Sequence, residues 1–151
     1  MIKIICVGKL KEQYLKSAVE EYIKRLGRYT KINLIEVDDY SNLDINNILK
    51  KEQEEILKHI DPKDYVITLE ILGNMLTSKE LAKHMEQTLI NNSNITFIIG
   101  GSYGISDVIK QRSNYKLSFS KLTFPHQLFR VMLLEQIYRA YKINNNEEYH
   151  K

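Results

Sequence analysis

Short β-branched runs alternate with amphipathic stretches along the whole chain, and no other feature constrains the fold as much. IKIICV (2–7), KINLIEV (31–37), DYVITLEIL (64–72), NITFIIGG (94–101) and YKLSFS (115–120) read as strands. Between the first two, Leu15, Ala18, Val19, Tyr22, Ile23 and Leu26 recur at the spacing of one helix face, with Gly27 placed to end it. The stretch 43–60 carries Ile48, Leu49, Ile56, Leu57 and Ile60 on an inner side and is stopped by Asp61-Pro62. Thr77 and Glu80 have capping-box spacing and open a third helix. A short helix over 106–112 and a final one over 125–142 follow, the last with Pro125 in its first turn and a stripe of Leu128, Met132, Ile137, Ala140 and Tyr141. Five strands alternating with five helices predict an α/β fold: a five-stranded, mainly parallel sheet with helices on both faces.

The 151 residues suit one domain spanning 1–151, and no repeat, low-complexity tract or linker divides them. The single cysteine, Cys6, falls inside an apolar strand; it allows no internal disulfide and no cysteine cluster for zinc. The first residues contain no apolar run long enough for a signal peptide, and none approaches the ~20 residues of a membrane span. These features predict a soluble cytoplasmic protein. The net charge of +3 is uneven: residues 1–109 hold 14 Lys/Arg against 16 Asp/Glu, and residues 110–151 hold 8 against 3. The C-terminal third therefore either presents a solvated basic face or meets an anionic partner.

Ligands of open α/β sheets bind beyond the carboxyl ends of the strands. Three such ends stand out: TLEILGN after the third strand, IIGGSYG after the fourth, and SFSKLTFPH after the fifth. Gly100, Gly101 and Gly104 permit close backbone approach or a plain sharp turn, but they match neither the dinucleotide fingerprint nor the phosphate loop. His59 and His84 read as solvated groups on helix surfaces. His126 differs, sitting in the first turn of a helix where the positive dipole end favours a neutral ring. Arg130 follows one turn later on the same face. The pair either caps the helix or removes a proton and holds the resulting anion. The terminal Tyr149, His150 and Lys151 would, if docked, offer an aromatic ring and hydrogen-bonding groups to a base.

VGKLKEQY near the start, ITLE with Gly73 close behind, FIIGGSYG, LSFSKLTFPHQLFRVMLLEQIYRAYKI and the terminal YHK together resemble the RlmH type of ribosomal RNA methyltransferase, of the SPOUT class. The resemblance covers essentially the whole chain. It implies a C-terminal deep trefoil knot, a homodimer with the site near the subunit interface, and N3-methylation of a pseudouridine of 23S rRNA on the ribosome, without metal. It implies S-adenosylmethionine held by Leu69, Gly100, Phe119, Ser120, Lys121, Leu122, Thr123 and Phe124. On that reading His126 orients or deprotonates the base, Arg130 holds the anion, and Tyr149 and His150 close over the nucleotide, from either subunit. The chain departs from the family pattern at Asn74 (usually lysine), Glu70 (commonly aspartate) and Asn146 (usually glycine). Asparagine also tolerates the left-handed backbone. Two other readings stay open: a knotted methyltransferase with a different RNA target, and an inactive RNA- or nucleotide-binding relative.

Overall fold

In the computed structural model, which describes residues 1–149, each β-branched run becomes a strand of one sheet. The elements are β1 (Ile2–Val7), α1 (Gln13–Leu26), β2 (Ile32–Val37), α2 (Ile45–Leu57), β3 (Tyr65–Met75), α3 (Ser78–Asn91), β4 (Ile95–Ile99), α4 (Asp107–Arg112), β5 (Tyr115–Ser118) and α5 (His126–Asn144). The strand order is β2-β1-β4-β3-β5 and every pairing is parallel. β1 and β4 are buried at every position, as their unbroken apolar runs require of strands covered on both faces. Helices α1, α3 and α5 share one core with Val19, Met85, Leu133 and Ile137, while Ile56 of α2 and Ile109 of α4 belong to a second core.

Local chemistry sets the helix starts. Asp44 accepts from the Asn47 N–H, Thr77 and Glu80 form the full capping box, and Ser106 caps α4. Pro125 stands one position earlier than expected, as the N-cap of α5 and not inside its first turn. Asn146 has a φ of 54°, the left-handed backbone that asparagine tolerates.

Four expectations are corrected. The third strand does not stop at residue 72: Leu69 and Asn74 both pair with Leu117, so residues 70–73 bulge outward and pairing resumes through Met75. The fourth ends at Ile99, because Gly100 and Gly101 turn away and Gly101 bridges Gly104. On α5 the inward residues are Arg130, Leu133, Leu134, Ile137 and Ala140, whereas Leu128 is 40% exposed and Met132 only half-buried. The buried face is thus turned from the expected stripe so that it includes Arg130, whose guanidinium finds its partners in the interior. On α2, Glu52 is buried between Ile48 and Ile56, and Leu57 is exposed.

The histidines also move. His59 lies in the turn after α2, where its carbonyl accepts from Lys3 Nζ at 2.7 Å. His84 is half-buried, its Nε2 3.2 Å from the Tyr65 hydroxyl and its ring 4.3 Å from that of Tyr115. Burial holds the His84 ring below the ordinary histidine value, so it is a packed group.

Candidate active site

The carboxyl ends of β3, β4 and β5 and the first turns of α5 enclose a cavity of about 460 Å³. Its geometry follows from local sequence. A Cβ on Gly100 would stand 2.6 Å from the Gly104 carbonyl oxygen, so the chain can fold back there only without a side chain. After β5, Ser118 Oγ donates to the Ser120 carbonyl at 3.1 Å and the Leu122 N–H donates to Ser120 Oγ at 3.0 Å, which shapes the wrapping segment 119–125. Phe119 and Phe124 anchor that segment on Phe129 of α5, with centroids 4.7 and 6.2 Å away.

Leu69, Gly100, Phe119, Ser120, Leu122, Thr123 and Phe124 all line this cavity; Lys121 is exposed and does not. Sequence reasoning missed Ile71 and Leu72, carried into the wall by the bulge in β3, and the charged pair of Glu70 and Lys110, 4.0 Å apart. Thr68 Oγ1 donates to Glu70 Oε2 at 2.6 Å. Glutamate close behind a strand end and lysine on the following short helix are the signals that could have pointed there. The remaining walls are mostly aliphatic and aromatic, suited to a flat organic group with few polar contacts.

His126 stands in the wall of this cavity and of a second one, of about 470 Å³. The second cavity is ionic where the first is apolar: Lys9, Lys11, Asp38, Asp39 and Gln127 line it. Burial first, and then the Arg130 charge, hold the His126 ring below the ordinary histidine value, with Asp39 pulling weakly the other way. The ring is therefore neutral at neutral pH, able to accept a proton.

Arg130 is not the open cation that its place one turn after His126 suggested. It is 1% exposed, donating to Glu36 Oε2 at 2.6 Å, to the Gly8 carbonyl at 2.7 Å and to the Val7 carbonyl at 3.1 Å. A guanidinium so engaged neutralises Glu36 and ties the ends of β1 and β2 to α5, and it lines neither cavity. Tyr149 likewise stays away from the cavity within its own chain. Its hydroxyl donates to Glu135 Oε1 at 2.7 Å, its ring meets Tyr138 edge-on at 5.1 Å, and Arg139 lies 4.8 Å over its face. The Glu135 hydrogen bond and burial push the Tyr149 hydroxyl up to about 12. Glu135 is nine residues beyond His126, about 14 Å along the helix at about 1.5 Å per residue. His150 lies outside the described residues. Cys6 is a buried strand residue whose thiol burial pushes up to about 12, far from reactive.

Several charges of the C-terminal third are spent internally: Lys142 and the Tyr29 hydroxyl hold Glu147, and Arg139 pairs with Glu135. Among the described residues no helix is long and apolar enough to cross a membrane, and no group of three or more His, Cys, Asp or Glu could hold a metal ion.

The family model described as "Predicted SPOUT methyltransferase" matches residues 1–150. The chain is 55% identical to a ribosomal RNA large subunit methyltransferase H of Clostridium botulinum (strain Alaska E43 / Type E3), over 99% of both chains. It is 56% identical to the protein of that name in Clostridium tetani (strain Massachusetts / E88), over the same shares. Its fold is also similar to that of a probable methylase family protein from Haemophilus influenzae Rd KW20, with a TM-score of 0.56 at 14% identity, covering 96% of this chain and 66% of that one.

Proposed function

Because the chain belongs to the SPOUT methyltransferase family, we propose that it is an S-adenosylmethionine-dependent methyltransferase of ribosomal RNA, one catalytic domain that acts as a cytoplasmic homodimer. Its target in this reading is N3 of a pseudouridine in 23S rRNA of the assembled ribosome. The observation that carries the proposal is the cavity itself: an apolar chamber at three parallel strand ends, wrapped by the segment 119–125 and walled at its mouth by a neutral histidine.

The cavity's chemistry fits the cofactor. Phe119, Phe124 and Leu122 offer flat and aliphatic contacts for an adenine and a thioether-like chain, and the Gly100 backbone allows close approach. Leu69, Gly100, Phe119, Ser120, Leu122, Thr123 and Phe124 are the groups that would hold it, with the segment 119–125 as the closing loop of the knot. When bound, the cofactor supplies an electrophilic sulfonium methyl.

The rest of the work falls to the chain. The N3 proton of pseudouridine is an imide proton, so its lone pair must be exposed and aligned. His126 accepts that proton on its unprotonated ring nitrogen. Arg130 is a positioning residue: by tying Val7, Gly8 and Glu36 to α5 it fixes where the His126 ring stands. The tail bearing Tyr149 and His150 serves the partner subunit's site, since Tyr149 docks on Glu135, about 14 Å from His126 along α5. Two measurements test the proposal. Calorimetry should show S-adenosylmethionine binding to the purified protein, and its absence removes methyl transfer altogether. Mass spectrometry of 23S rRNA from cells with and without the gene should differ by one methyl on a pseudouridine, and an unchanged pseudouridine signal rejects the target.

A further inference from the structure

The cofactor-type cavity and the ionic cavity share only two lining residues, Ser102 and His126. Methyl transfer requires donor and nucleophile to approach the moving carbon from opposite sides, with the proton acceptor beside the nucleophile. A histidine standing in the common wall of two chambers meets that demand when the donor occupies one and the base the other. The apolar chamber suits the donor. The ionic one suits a nucleobase, whose edge is made of N–H donors and carbonyl acceptors, with Lys9 and Lys11, both exposed, near its flanking phosphates.

We propose that the ionic cavity seats the target base and that the Asp39 carboxylate reads the ring N–H neighbouring the one His126 acts on. The inference rests on the methyl-transfer reading above and names what selects its substrate. Asp39 is exposed, and no described residue hydrogen-bonds or ion-pairs with its carboxylate. It lies over bare backbone: a Cβ on Gly8 would stand 3.6 Å from its Oδ2, and Gly8, at a φ of 89°, disfavours any other residue. Asp39 and His126 line this one cavity together.

The chemistry then discriminates. A carboxylate accepts and never donates, so it selects for an N–H at that point of the base. Pseudouridine presents two ring N–H groups on either side of one carbonyl. Uridine presents one, and offers a C–H where the second would be. His126 takes the reacting proton and Asp39 accepts from the other N–H, leaving the carboxylate unsatisfied when uridine enters. A site built around such a hydrogen bond rejects the analogue lacking it, though an exposed carboxylate does so less severely than a buried one.

Single-turnover methylation of ribosomes carrying either pseudouridine or uridine at the target position tests this, with cofactor affinity measured by calorimetry on the same preparations. The wild type should favour pseudouridine ribosomes. Asp39→Ala should narrow the pseudouridine-to-uridine ratio of kcat/KM by about tenfold, in line with one charge-assisted hydrogen bond partly open to solvent. Asp39→Asn, which keeps one acceptor oxygen, should fall between, and both variants should bind S-adenosylmethionine as the wild type does. A ratio unchanged in Asp39→Ala overturns the inference alone. So does an equal loss on both ribosomes, which would assign Asp39 to tuning His126, and so does loss of cofactor binding in both variants, which would assign it to the fold. A wild type that methylates neither ribosome overturns the methyl-transfer reading and this inference with it.

Discussion

The two ends of the sheet are built on opposite principles. At the amino ends of the strands, charged and polar groups answer one another. Lys3, 5% exposed, donates to Asp64 Oδ2 at 2.8 Å and to the His59 carbonyl, and the Asp61 N–H donates to the same Asp64 oxygen at 3.0 Å. Arg112 donates to the Asp64 carbonyl at 2.9 Å, and Asn114 Oδ1 accepts from the Val66 N–H at 2.8 Å. The Thr96 hydroxyl helps hold Asp64 ionised, although it lacks the geometry of a full hydrogen bond. At the carboxyl ends stand two cavities, the exposed apolar Leu72 and Leu122, and buried polar atoms with no partner among the described residues, Glu52 Oε1 and Arg130 Nε. The polar network at the amino ends secures the fold while the carboxyl ends keep open cavities for ligands, so one sheet divides stability from chemistry by strand polarity.

The largest effect that division predicts is at the open end. His126→Ala should lower methylation by roughly 10²- to 10⁴-fold, the usual contribution of a positioned proton acceptor, while a thermal melt shifts little because the ring is only half-buried. The pH dependence has a fixed sign. Burial and the Arg130 charge lower the His126 value below 6.5, so the ring is already in its accepting form at neutral pH. The rate should therefore be flat near neutrality and fall with acid at an inflection below 6.5. An inflection above that value, or a His126→Ala rate equal to wild type, removes the histidine from the chemistry.

At the closed end the same kind of truncation should do the reverse. Asp64→Ala leaves the Lys3 ammonium buried without its main partner, a loss of about 3–5 kcal/mol. At about 2–4 °C per kcal/mol for a chain of this size, the melting temperature should fall by roughly 10 °C, with methylation kinetics at 25 °C preserved. Burial pushes the Asp64 carboxyl upward, but the hydrogen bonds from Lys3 and Asp61 outweigh it and hold the group below its ordinary value. Its stabilisation is thus complete above pH 3.8 and lost as pH falls through the lower folded value, so wild type and variant should converge in strong acid. Equal losses of stability and rate would erase the distinction between the two ends.

How much of this was legible in the sequence depends on whether one element or several had to be read together. The strands and caps were legible because each is a local pattern: IKIICV is apolar throughout, and Thr77 with Glu80 needs only three residues. The cofactor-type cavity was legible because it collects at strand ends, a rule of the fold class that the family resemblance independently met at Leu69, Gly100 and residues 119–124. Arg130 was misread because its partners, Glu36, Val7 and Gly8, come from strands about a hundred residues earlier in the chain, and a charged residue alone on a helix gives no sign of them. The ionic cavity was missed for the same reason: Lys9, Asp39 and Gln127 are ordinary surface residues until three elements bring them around His126.

The smallest predicted effect probes the least expected residue, Glu52. Its side chain lies behind the glycine turn at the open end, with Oε1 3.3 Å from where a Gly101 Cβ would stand and no hydrogen-bond partner among the described residues. Burial raises its value, only partly offset by the Tyr40 backbone N–H, and the charge of Asp39 adds to the rise. A carboxyl raised in the folded state costs stability at neutral pH and ceases to cost it once acid has protonated it in both states. Glu52→Gln removes that charge at nearly constant volume. It should stabilise the protein by about 1 kcal/mol near pH 7, or about 2–4 °C in melting temperature. The gain should vanish as pH falls below the ordinary value of 4.5. A destabilised Glu52→Gln at neutral pH would mean that Oε1 is fully satisfied, and the open end would then be no less closed than the other.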